Sequence, residues 1–153
     1  YPVCKLFELS MKEGVVPQEW RSANISPVFK KGNRQDPGNY RPVSLTCILC
    51  KVMETLVRDS VVKHLEENDL VTQDQHGFVK GRSCITHLLE VLDDWTKVLE
   101  EGGSVDAIYM DFRKAFDTVP HARLQAKLHA LGVQGQVLEW IKAFLQGRRQ
   151  RVV

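Results

Sequence analysis

Long apolar runs are missing from this 153-residue chain. None approaches the ~20 residues that span a bilayer, and no basic-then-apolar leader opens the sequence. No membrane partner is expected. Cysteine is sparse, at positions 4, 47, 50 and 84. Cys47 and Cys50 form C-x-x-C, but no second pair and no matching His spacing follows. The pair also opens a helical pattern, so buried thiols are expected rather than zinc or redox chemistry. No disulfide framework is implied, and an intracellular, reducing location is expected. A large excess of either charge is also absent. The net charge is +2, and 43% hydrophobic with 26% charged residues is ordinary for a globular chain. That sum argues only weakly for a polyanionic partner. Acid is scarcest near the end, where Glu139 is the single Asp or Glu after Asp117. The first residue is Tyr, and the chain is expected to be a piece of something longer.

What is present is patterned. The length suits one domain or part of one. Apolar residues at helical spacing predict helices over 2–13, from a Thr46 cap to about 68, from a Ser83 cap to 102, from Pro120 to near 132, and over 136–146. Ile48, Leu49, Val52, Met53, Leu56, Val57 and Leu65 form the stripe of the second. Ile85, Leu88, Leu89, Leu92, Trp95, Val98 and Leu99 form that of the third. Residues 23–29 and 40–45 read as strands around a loop rich in Gly, Asn, Asp and Pro, giving a basic hairpin. Residues 105–111 read as a buried strand, and a further strand starts at Arg149. Basic residues cluster at Lys30, Lys31 and Arg34, at Lys80 and Arg82, and at Arg148, Arg149 and Arg151. Such patches are the usual footprint of phosphate binding, although each alone also reads as a solvated surface.

Asp111 ends the apolar run Ala-Ile-Tyr-Met and opens DFRKAFDTVPH. A carboxylate at the C-terminal mouth of a buried strand is well placed for a divalent metal. The string YMDFRKAFDTVPH also resembles the first catalytic motif of reverse transcriptases from non-LTR, LINE-type retrotransposons. EWRSANISPVFKKG with NYRPVSLT is similar to the family's fingers hairpin, and KVMETLVRDSVVKHLEEN to the helix after it. QHGFVKGRSCITHLL is similar to the template-contacting motif, and WIKAFLQGRRQRV to the segment after the first catalytic motif. The blocks occur in the family's order, with a CR1-like flavour in NYRPVSLT and KAFDTVPH.

The resemblance implies an α+β fold: the fingers (about 1–103) and the first half of the palm (about 104–153) of a right-hand polymerase. That fold would be mostly helical, with a fingers hairpin and a palm strand. It implies RNA-templated DNA synthesis on an RNA template and DNA primer, using deoxynucleoside triphosphates, with nuclear localisation. In-line attack of a 3′-hydroxyl on a phosphorus is served by two magnesium ions held by hard carboxylate ligands. Asp111 is the expected catalytic ligand. Phe116 takes the position of a steric gate under the nucleotide sugar. Lys30, Lys31 and Arg41 are expected over the triphosphate, without a choice between the two lysines, and Phe112 and Arg113 lie in the turn whose amides would receive it. Gln75, Gly77, Phe78, Lys80 and Arg82 are the expected template contacts, with Gly81 easing the backbone's approach. Asp117 is expected to cap the helix near Pro120, and His76 and His121 to be surface or structural residues. One departure stands out. The family's second motif, an aromatic residue, one variable residue and two aspartates, has no counterpart here, and neither does a thumb. An incomplete metal site and an inactive fragment are therefore expected. A non-catalytic nucleic-acid-binding relict and a functionless remnant are the alternatives.

Overall fold

The computed structural model describes residues 1–112 and 114–153. It divides into two compact units, Tyr1–Leu65 with Pro120–Val153, and Glu66–Val119.

The first unit is built on two tryptophans. Helix α1 (Pro2–Glu13) starts with Pro in its first turn, where a missing N–H costs nothing, and stops at Gly14, whose φ of 63° is left-handed. A single 3-10 turn (Gln18–Arg21) buries Trp20, and β1 (Ser22–Phe29) follows. A second such turn (Pro37–Asn39) leads into β2 (Tyr40–Leu45). Helix α2 (Ile48–Glu67) follows. The chain re-enters this unit with α4 (His121–Ala130), α5 (Gly135–Leu145) and β3 (Arg149–Val152).

The sheet order is β2-β1-β3, antiparallel on one side of β1 and parallel on the other. Val16, Trp20, Cys50, Met53, Val57 and Trp140 form the buried core. Trp140 Nε1 donates to Ser10 Oγ at 2.9 Å, and that hydroxyl donates onward to the Val15 carbonyl at 2.7 Å. A buried indole N–H thereby keeps its partner. Phe7 meets the Trp20 ring edge-on at 5.8 Å, and Phe144 stacks on Trp140 at 5.1 Å. His64 Nε2 lies 2.8 Å from the Leu131 carbonyl, so that nitrogen carries the ring proton and ties α2 to the turn after α4.

Several expectations need correction. α2 begins at Ile48, and its first turn closes on the Cys47 carbonyl, which accepts from Lys51 N at 3.1 Å; Thr46 lies outside the helix. Its buried positions are Cys50, Met53 and Val57, spaced three and four apart, whereas Ile48, Leu49, Val52 and Leu56 are exposed. Pro120 stands at the N-cap of α4 rather than inside it, and Asp117 makes no cap bond to that helix.

The second unit contains α3 (Cys84–Glu100), started by a capping box in which the Ser83 hydroxyl accepts from Thr86 N and Thr86 Oγ1 accepts from Ser83 N. The expected strand over 105–111 does not form: residues 103–112 carry no regular structure. A strand is held by a neighbour's backbone, and among the described residues the sheet consists of β1, β2 and β3 alone. Met110 is 88% exposed accordingly. α3 buries none of its residues, so its apolar stripe also stands open.

Candidate functional site

On the first unit, the hairpin positions the basic residues. Phe29 pairs with Tyr40 and Val28 with Arg41, which fixes where Arg41 projects from the sheet. The intervening loop is tied internally. Asn39 Nδ2 donates to the Asn33 carbonyl at 2.9 Å, Asp36 Oδ1 accepts from Gly38 N at 2.8 Å, and Tyr40 OH donates to the Arg34 carbonyl at 2.9 Å. Arg34 lies over the Phe29 ring at 5.1 Å, occupying that cation. Gly32, at φ 92°, faces the Asn39 side chain so closely that a Cβ would sit 2.8 Å from its nitrogen. Lys30 N donates to the Asn39 carbonyl at 2.9 Å, while the Lys30, Lys31 and Arg41 side chains are exposed. They stand as exposed cations on a braced hairpin, an arrangement that suits phosphate oxygens.

On the second unit, the loop before α3 folds on itself. Arg82 donates to the Gln75 carbonyl at 3.1 Å, and Gln75 Nε2 donates to the Gly77 carbonyl at 2.8 Å. Both side chains are thus spent partly on holding the loop, and Lys80 is the exposed cation of the three polar candidates. Gly81 has φ 79°, where a side chain would be strained; Gly77 has no such φ. His76 is buried against His87, ring centroids 4.6 Å apart, with Nε2 lying 2.9 Å from a Glu90 carboxylate oxygen. Neither of its ring nitrogens has a well-aligned hydrogen bond, so the Glu90 contact is one of proximity. His76 is thus packed within this unit rather than exposed at its surface.

Asp111 and Phe112 lie exposed in the irregular stretch. The turn that follows runs over 114–118, with Lys114 at φ 52° and its carbonyl accepting from Asp117 N at 3.0 Å and from Thr118 N at 3.1 Å. Arg113 falls outside the described residues. Phe116 meets Phe78 edge-on at 6.2 Å, so a residue of the first catalytic motif and one of the QHGF segment come together. Phe78 has φ 63° and is 95% exposed; Phe116 is 82% exposed. A non-glycine residue held in the left-handed region is a strained position and often a functional one. This pairing was not anticipated, and only proximity of two motifs in a folded chain could reveal it.

No group of three or more His, Cys, Asp or Glu among the described residues is placed to hold a metal ion. Asp111 alone does not fit a two-metal centre, which needs several carboxylate oxygens.

The first unit thus carries exposed cations on a braced hairpin, and the second a braced basic loop and an exposed aspartate before a turn. The chain belongs to the reverse transcriptase (RNA-dependent DNA polymerase) family, whose model matches residues 28–153. The expected membership is borne out, and with it the relatives in non-LTR elements. The chain is 29% identical over 134 residues to a probable RNA-directed DNA polymerase from transposon X-element of Drosophila melanogaster, covering 87% of this chain and 15% of that protein. It is 28% identical over 145 residues to an RNA-directed DNA polymerase from mobile element jockey of Drosophila funebris, covering 94% and 16%. It is 25% identical over 139 residues to a Pol polyprotein from type-1 retrotransposable element R2 of Popillia japonica, covering 90% and 19%. The chain thus spans less than a fifth of each of these relatives. Reverse transcriptases use divalent metal ions in general.

Proposed function

We propose that this chain is the fingers and first palm segment of an RNA-directed DNA polymerase of a non-LTR retrotransposon, inactive by itself and retaining nucleic-acid binding. The observation that carries this reading is the family match across residues 28–153, which includes the basic loop and second strand of the hairpin and the Asp111 motif. In the complete enzyme the substrates are an RNA template, a DNA primer and deoxynucleoside triphosphates, with magnesium as the metal. Lys30, Lys31 and Arg41 neutralise the triphosphate, and the turn after Asp111 offers it backbone amides. Lys80 and Arg82 meet template phosphates, which position a strand without reading its sequence. Asp111 contributes one carboxylate where several are needed. This chain's own residues therefore bind and orient but do not complete the chemistry.

The purified chain should give no templated product in primer extension on a primed RNA. It should bind single-stranded RNA and DNA weakly, with affinity falling steeply as salt rises. Changing Arg41, Lys80 and Arg82 together to Ala should weaken that binding. Templated extension by the chain alone would overturn the inactive reading, and salt-insensitive binding would overturn the phosphate reading. The lone carboxylate also favours a second reading, a binding module that never had a catalytic role in its present form. Completing the chain with the palm and thumb of the jockey polymerase separates the two. Extension that is lost on Asp111→Asn supports the enzyme segment, and no extension in either supports the module.

A further inference from the structure

The third basic cluster lies on the sheet, away from the hairpin loop. In the parallel pairing of β1 with β3, Ser22 faces Arg149 and Asn24 faces Arg151. Side chains two apart on a strand share a face, so Ser22, Asn24, Arg149 and Arg151 project together. Arg151 confirms this by donating through Nε to Asn24 Oδ1 at 2.9 Å. Beside them, Gln18, Arg21, Ser22 and Arg149 line a hollow of about 340 Å³ with Val16 and Gly147. A second hollow of about 330 Å³ shares Ser22 and Arg149 with it and continues to Arg151. No acid lines either hollow.

Of the cations here, Arg151 is held by Asn24. Arg148 is engaged elsewhere, stacked over Phe144 at 4.3 Å. The side chains of Arg21 and Arg149, in contrast, have no hydrogen bond or ion pair among the described residues, and Arg21 Nε is buried without a partner. A buried donor without an acceptor is costly and rare, so an acceptor delivered from outside is the natural remedy. A guanidinium offers parallel N–H groups that match two oxygens of a phosphate. Ser22, whose hydroxyl donates to the Gln18 carbonyl at 3.5 Å, lies at the junction of the two hollows.

We propose that the track from Arg21 over Arg149 to Arg151 binds consecutive phosphodiesters of a single nucleic-acid strand. It is a contact separate from those of Arg41, Lys80 and Arg82, and it rests on the reading of this chain as a nucleic-acid-binding piece of a polymerase. Glu19 lines an adjoining hollow with Gln18 and Ser22 and opposes the bound anion.

The test uses the whole chain and a fluorescent single-stranded oligonucleotide of mixed sequence. Arg21→Gln with Arg149→Gln, leaving the Arg151–Asn24 bond intact, should weaken binding about tenfold and reduce the log–log salt slope by about 1.4, at about 0.7 per lost phosphate contact. Lys5→Gln with Lys12→Gln removes the same charge from α1 and should leave the slope unchanged, while Glu19→Gln should tighten binding. An unaltered slope in a folded Arg21/Arg149 double variant overturns the proposal. Should that variant not fold, amide shifts of the unaltered chain during oligonucleotide titration decide the matter. Saturable shifts at Ser22, Gly147 and Arg149 support the track. Shifts confined to 80–82 and Arg41 overturn it and leave the broader binding reading standing. No binding at all removes both.

Discussion

Phe116 stands almost wholly in solvent, touching the Phe78 ring, and this decides what its truncation should do. A core phenylalanine cut to a smaller residue costs ~3–5 kcal/mol, whereas an exposed one is worth roughly ±0.5 kcal/mol. Phe116→Val should therefore leave the melting temperature of the chain nearly unchanged. In a chain completed with a functional palm and thumb, the same change should raise ribonucleotide relative to deoxyribonucleotide incorporation about 10–100-fold, a difference of ~1.4–2.8 kcal/mol. An unchanged ratio there would end the gate reading. Cys50 is the opposite case. It is fully buried, and burial first, then its hydrogen bond to Glu54 at 3.0 Å, push its thiol from 9.0 up to about 12. The folded chain holds that proton longer than the unfolded chain. Its stabilising effect is thus complete below pH 9.0 and lost progressively towards about 12. Between pH 9 and 10.5, stability should fall by up to ~1.4 kcal/mol per unit more in the native chain than in Cys50→Val, read from urea midpoints. Thiol reagents should modify exposed Cys4 and Cys84 at once and Cys50 only on unfolding. At this scale the sequence was a good guide to identity and a poor one to surroundings. The motif around Asp111 named its residues, but the meeting of Phe116 with Phe78 joins positions 38 apart, which no local pattern encodes.

Among the elements, the bond from Trp140 to Ser10 joins α5 to α1 across 130 residues of sequence. Ser10→Ala leaves a buried indole N–H without its acceptor and should cost ~1–3 kcal/mol. Ser10→Thr, which keeps the hydroxyl, should cost less; equal losses in both would point to packing rather than to the bond. The helices were legible because caps and breakers are local. Gly14 ends α1, Ser83 opens α3 and Pro120 precedes α4. The hairpin strands were legible for the same reason, a Gly- and Asn-rich loop between two extended runs. The strand over 105–111 was misjudged because an apolar run states only that a segment is buried in some assembly. Pairing needs a partner, and here none of the described strands supplies one. Which helix face is buried was likewise illegible where apolar residues ring the helix. In α2, Met53 and Val57 point inward while Val52 and Leu56 do not.

For the whole molecule, the two units differ in how they are held. All the buried apolar residues among those described belong to Tyr1–Leu65 and Pro120–Val153, while Glu66–Val119 buries His76 alone. Local stability follows buried apolar contact, so backbone amides of α3 should exchange with solvent much faster than those of α2 or α5. Equal protection in all three helices would show that the chain unfolds as one cooperative body. The first unit is also discontinuous, and its sheet is closed by the parallel pairing of β1 with β3. That pairing has a temporal consequence. On a ribosome, Ser22 emerges long before Arg149, and Trp20 long before Trp140. Until β3 arrives, one edge of β1 has no ladder and the core lacks the second of its two tryptophans. The residues of β1 must wait for more than a hundred further residues to be added before β3 can pair with them, so the folding of this unit is paced by the synthesis of that intervening stretch rather than by local propensities alone.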